Sequence, residues 1–83
     1  MDAASNNEEV FEQLVLQTSD PYDLIPRVFD FARKASIALD SLETALRTDG
    51  QYEVRFVFLP CDPDAFQTLT RRAELIQSAL VGG

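Results

Sequence analysis

Along this chain the apolar positions recur first at a spacing that fits a helix, then in a long helical stripe, then in strict alternation, and finally in a helical stripe again. Val10, Phe11, Leu14 and Val15 fall on one side of a helix, with Asn6 as its N-cap and Glu9 three residues on, as in a capping box. The spacing predicts a first helix over Asn7 to Gln17. The competing pattern is a strand from Gln13 to Thr18, because Leu14 and Leu16 alternate with Val15. The helix is preferred because Glu8 and Glu9 stand at the positive end of its dipole. Residues 1 to 5 read as a disordered start, and residues 6–83 as one small domain.

Ser19-Asp20-Pro21 breaks the chain, and Pro26 either starts or kinks the next helix, since proline disfavours the helical region for Ile25 before it. From Pro26 to Arg47 the stripe Val28, Phe31, Ala35, Leu39, Leu42 and Leu46 predicts one long helix. Asp30–Lys34 and Glu43–Arg47 are acid-first i,i+4 pairs on its wet side. Gly50 can close it in the left-handed conformation. Gln51 to Leu59 is the one strand expected, with Tyr52, Val54, Phe56 and Phe58 on one face and Glu53, Arg55, Val57 and Leu59 on the other. Asp62-Pro63-Asp64 then caps a last helix carrying Phe66, Leu69, Ala73, Ile76 and Leu80, which ends before Gly82-Gly83. The expected fold is α+β and mostly helical, in the order α-α-β-α, with its single strand paired across a dimer or partner interface. The alternative is β-α-β-α, with residues 12–18 as a first strand.

Composition narrows the function more than the fold. Eighty-three residues, 46% apolar and 25% charged, make a globular chain with room for one modest core and no deep cleft. Seven basic residues against fourteen acidic give a net charge of −7, which repels phosphate backbones and anionic membrane surfaces. Histidine is absent, so no Ser-His or Cys-His pair and no imidazole metal ligand can be built. The single cysteine, Cys61, excludes an intrachain disulfide. With no signal-peptide pattern and no apolar run of spanning length, a cytoplasmic protein is expected.

The triplet Asp40-Ser41-Leu42, with Leu59-Pro60 downstream, resembles the phosphopantetheine attachment site of acyl carrier proteins. That resemblance implies a carrier modified on Ser41. In that family, however, the serine opens a helix after a glycine-containing loop, whereas here it follows the unbroken helical pattern Arg33 to Leu39. Cys61 stands at a helix start that favours a thiolate, opposed by Asp62 and Asp64 and without a base. The pairs Asp20/Asp23 and Asp62/Asp64 fit helix capping, and the glycine and glutamate of a calcium loop are missing. Arg71-Arg72 is a solvated helix face. Gly82-Gly83 fits a C-cap, or the processing site of a precursor or leader peptide.

These readings converge on a non-catalytic acidic module for protein–protein interaction: an adaptor, assembly or regulatory subunit, without cofactor or metal, acting as a homodimer. Phe29 and Ile37 on the long helix and Leu75 on the last one fall off the core stripes and suggest a contact surface. A lone strand leaves its backbone groups unbonded, so Gln51 to Leu59 is expected to pair with a second copy, bringing Tyr52, Val54, Arg55, Val57 and Phe58 to the interface. Charge alone also admits an acidic nucleic-acid mimic that inhibits a nucleic-acid enzyme.

Overall fold

A computed structural model describes residues 10–82, with side chains through Ile76. The start at residues 1–5, the Asn6 cap and Gly83 lie outside the described residues, as does the side chain of Leu80. The elements are β1 (Glu12–Thr18), α1 (Pro21–Lys34), β2 (Leu39–Leu46), β3 (Tyr52–Phe58) and α2 (Pro63–Gly82). The strands form one sheet in the order β1-β3-β2. Both β1 and β2 run antiparallel to β3, so they are parallel to one another, and α1 carries the chain across the position that β3 later fills.

This overturns the mostly helical α-α-β-α expectation at two places. The first is Asn7 to Gln17, where β1 replaces a helix. Leu14 and Leu16 are two residues apart, which puts them on opposite sides of a helix but on one side of a strand. Here Leu14, Leu16 and Thr18 are all buried, while Gln13, Val15 and Gln17 face solvent. The β-α-β-α alternative, with residues 12–18 as its first strand, fits, and β2 is the strand to be added to it.

The second place is the back half of the long helix. The helix begins earlier than expected, at Pro21, with Pro26 inside it, and it ends at Lys34. Its stop is a Schellman turn. Ser36 takes a left-handed φ of 59°, its N–H donates to the Arg33 carbonyl (3.1 Å), and the Ile37 N–H donates to the Ala32 carbonyl (2.9 Å). Ile37 and Ala32 are both buried, the apolar contact that accompanies this turn. Leu39–Leu46 then runs as an edge strand with one irregularity between Leu39 and Ser41. The Asp30–Lys34 ion pair is present at 3.1 Å. The Glu43–Arg47 pair is not, because Arg47 instead reaches Glu53 across the β2–β3 hairpin, at 3.0 Å.

Both helices lie on the sheet face that carries Val54, Phe56 and Phe58. Phe29 of α1 meets Phe56 edge-to-face and Phe66 of α2 meets Phe58 likewise, each at 6.1 Å between ring centres. Asp62 caps α2 as expected, its carboxylate accepting from the Ala65 N–H at 3.3 Å. Thr18, the one buried polar residue of the core among the described residues, accepts from the Asp20 N–H through its hydroxyl at 3.0 Å, which turns β1 into α1. The result is two layers, helices over one sheet face, with the opposite face open among the described residues.

Candidate interaction surfaces

β3 is the central strand. Its two edges bond to β1 and β2 of the same chain along its whole length, from Tyr52 to Phe58. The expected pairing of residues 51–59 with a second copy therefore has no free edge to use. The physical demand behind that expectation was sound, since the strand does need partners, but this chain supplies both.

The expected interface residues separate accordingly. Val54 and Phe58 are wholly buried beneath the helices, and Ile37 is buried as part of the turn that ends α1, so these three belong to the core. Tyr52 is half-buried on the helical side of the sheet. Arg55 and Val57 are half-buried on the open side, where the Arg55 guanidinium donates to Gln13 Oε1 and lies 3.4 Å from a Glu53 carboxylate oxygen. Phe29 is 39% exposed and Leu75 is 67% exposed. The structure does not bring these residues onto one continuous patch.

It assembles other surfaces instead. On the helical side, α1 and α2 leave β2 largely uncovered. Pro21, Tyr22, Ile25 and Pro26 of α1 face Thr44 and Tyr52 across a groove of about 290 Å³. Tyr22, 89% exposed, stands on its helix wall, and Leu46, 65% exposed, lies at the end of β2 beside it. On the open side, Phe11 and Leu59 stand one step beyond the Glu12–Phe58 pair, and Val15 lies opposite Arg55. All three of these apolar residues are exposed. A signal for Leu46 and Tyr22 was present in the sequence. Leu46 falls on the core stripe expected of a long helix, but that helix stops twelve residues earlier, at Lys34, and Tyr22 directly follows the Ser19-Asp20-Pro21 break.

The candidate chemical groups are placed less suggestively. Cys61 is half-buried at the β3–α2 junction. Burial pushes its thiol up, and the charges of Glu12 and Asp62 push it further, so it is a poor nucleophile at neutral pH. Ser41 is exposed in β2 opposite Val57, within a strand, so the helix start of a carrier motif is not there. Among the described residues, no group of three or more His, Cys, Asp and Glu side chains is arranged to hold a metal. No helix among them is long and apolar enough to cross a membrane. Arg72 lies over the Phe31 ring at 5.7 Å, which ties the basic doublet of α2 to α1. Asp30 is held below the usual carboxylate value by hydrogen bonds from Lys34 and Arg33, an exposed arrangement on α1.

Comparison with protein-family models, with curated proteins and with solved structures finds no match to this chain.

Proposed function

We propose that this chain is a non-catalytic, acidic protein–protein interaction module, a cytoplasmic adaptor, assembly or regulatory subunit that binds no nucleic acid directly. The observation that carries this reading is the uncovered β2 side of the helical layer. Tyr22 lines an apolar groove there, Leu46 is paired in the sheet with Tyr52 at the groove's edge, and neither contributes to the monomer's core. A small domain that keeps two large apolar side chains beside a groove is arranged to bury them against something else. The net charge of −7 selects the partner: an apolar segment flanked by basic residues, drawn in by long-range attraction and held by burial. Catalysis has little to work with, since histidine is absent and the one thiol is disfavoured as a thiolate.

The test places a photo-cross-linking residue at position 22 or 46, identifies the protein captured, and measures its binding in purified form. The reading expects Leu46→Asp to weaken that binding by about tenfold or more, with the domain still folded, and expects added salt to slow association. No adduct at either position, or an affinity indifferent to Leu46→Asp, would overturn it. A phosphopantetheine mass on Ser41 would replace it with the carrier alternative.

A further inference from the structure

The two edges of the sheet are built differently. β2 carries Asp40 and Glu43 and an irregular register between Leu39 and Ser41, the devices that keep an edge strand from pairing with another chain. β1 carries one charge, Glu12 at its first position, and no irregularity. It pairs with β3 in unbroken register over all seven residues, contains no proline, and is uncharged from Gln13 to Thr18. Among the described residues no strand lies on its outer edge, which presents a row of backbone donors and acceptors to whatever can bond them.

We infer that the occupant of this edge is a second copy of the same strand. The inference deepens the interaction-module reading and rests on it, by naming one partner as the chain itself. The sequence of β1 is self-complementary. Gln13-Leu14-Val15-Leu16-Gln17 reads the same in both directions, and Val15 is also the midpoint of Glu12–Thr18. A two-fold axis through Val15 sets two copies antiparallel with every residue of the strand used. Val15 then meets its counterpart, Leu14 meets Leu16, Gln13 meets Gln17, and Glu12 meets Thr18, so no like charges oppose.

Register is restricted by the same pattern. A slip of one residue sets core-facing positions against open-face positions and puts the two helical layers on opposite sides of the sheet. A slip of two in one direction sets Glu12 against the buried Leu16, and in the other it leaves Gln13 facing Ser19 beyond the strand's end. Only the register centred on Val15 keeps the full ladder, on the order of six to eight hydrogen bonds.

The product is a continuous six-stranded antiparallel sheet, β2-β3-β1-β1-β3-β2, with all four helices on one face. Its protected ends are the two β2 strands, so association stops at the dimer. α2 is the helix packed on β1, so the same axis brings the two α2 helices alongside each other. On the open face Val15, 45% exposed, is covered by its counterpart. Each copy carries −7, so their mutual repulsion opposes association, and added salt strengthens the dimer.

The test is sedimentation of the full chain from micromolar to millimolar concentration, with substitutions at the axis. The wild type is expected to approach twice 9.3 kDa, more readily as salt rises. Val15→Lys and Val15→Glu each place like charges face to face on the axis, so each alone is expected to be monomeric with an unchanged circular dichroism spectrum. An equimolar mixture of the two is expected to recover a dimer containing one of each. A wild type that stays monomeric at millimolar concentration, a dimer that survives both single variants, or a mixture that does not recover would overturn the inference. If either variant fails to fold, amide exchange of the wild type decides. Exchange at the outward amides of β1 that slows as concentration rises supports the pairing, and concentration-independent exchange overturns it. None of these outcomes bears on cross-linking from positions 22 and 46, so loss of the dimer leaves the wider interaction reading to its own experiment.

Discussion

Leu24→Ala and Leu42→Ala remove the same atoms from two places that the fold treats differently. Leu24 lies on α1, wholly buried against the sheet, whereas Leu42 lies on an edge strand, half-buried, at the margin of the helical layer. A leucine truncation in a closed core loses its transfer free energy and leaves a cavity, for about 3–5 kcal/mol. At the half-open Leu42 site part of that side chain is already in water and the surroundings can close in, so about 1–2 kcal/mol is expected. A domain of this length has roughly 4–12 kcal/mol to lose, and unfolds with a urea dependence of about 1 kcal/mol per molar. Leu24→Ala should therefore lower the urea midpoint by about 3 M or more and Leu42→Ala by about 1–2 M. Circular dichroism melts at one fixed protein concentration keep self-association from confounding the comparison. If Leu42→Ala proves the more damaging change, Leu42 is a core residue of a long helix from Pro26 to Arg47, and β2 does not exist.

Ser36 holds a left-handed φ of 59° without being glycine, so Ser36→Gly should raise stability by about 0.5–1 kcal/mol, and a lower melting temperature would contradict the turn described for the end of α1. Asp30 should titrate below its ordinary value of 3.8, from the hydrogen bonds of Lys34 and Arg33. Its small contribution to stability is then present above the unfolded-state value and fades as pH falls through the folded one. Molar salt should move the NMR-detected midpoint back up, and a low-salt midpoint at or above 3.8 would show that the pairing does not form in solution. The Cys61 thiol, raised by burial, Glu12 and Asp62, should reach half-maximal alkylation rate above pH 9.0. Glu12→Gln should bring that midpoint down, and a wild-type midpoint below 9.0 would mean that the thiol is not desolvated as the structure has it.

Where local pattern and tertiary context agree, the chain was legible. β3 alternates strictly and ends at Pro60, and α2 opens on Asp62-Pro63 with an apolar stripe behind it, so both stand close to where the pattern put them. β2 was not legible, because Leu39 to Leu46 (Leu-Asp-Ser-Leu-Glu-Thr-Ala-Leu) has the composition of a helix and continues the period of α1. The stop between them is made by Ser36, whose side chain carries no mark of a left-handed turn. What decides the segment is that β3 has a second edge to bond, a non-local demand that outweighs intrinsic propensity. β1 was ambiguous for a related reason, since Glu8 and Glu9 weigh towards a helix while Leu14 and Leu16 can share a buried face only in a strand.

The candidate interface moved as a consequence of those two strands. A strand whose second half is apolar on both faces needs material on both faces and both edges. Gln51 to Leu59 is therefore a strand unable to stand alone. With every other segment taken as a helix, only a second chain remains to supply its edges. Once β1 and β2 flank β3, the two edges of β3 are satisfied within one chain, and the unsatisfied edge passes outward to the flanking strands. One of these, β2, is marked by Asp40, Glu43 and a broken register as a strand that ends the sheet. The other is regular, uncharged from Gln13 to Thr18 and the same read in either direction from Gln13 to Gln17, so under the pairing proposed above it is β1, not β3, that takes a partner strand.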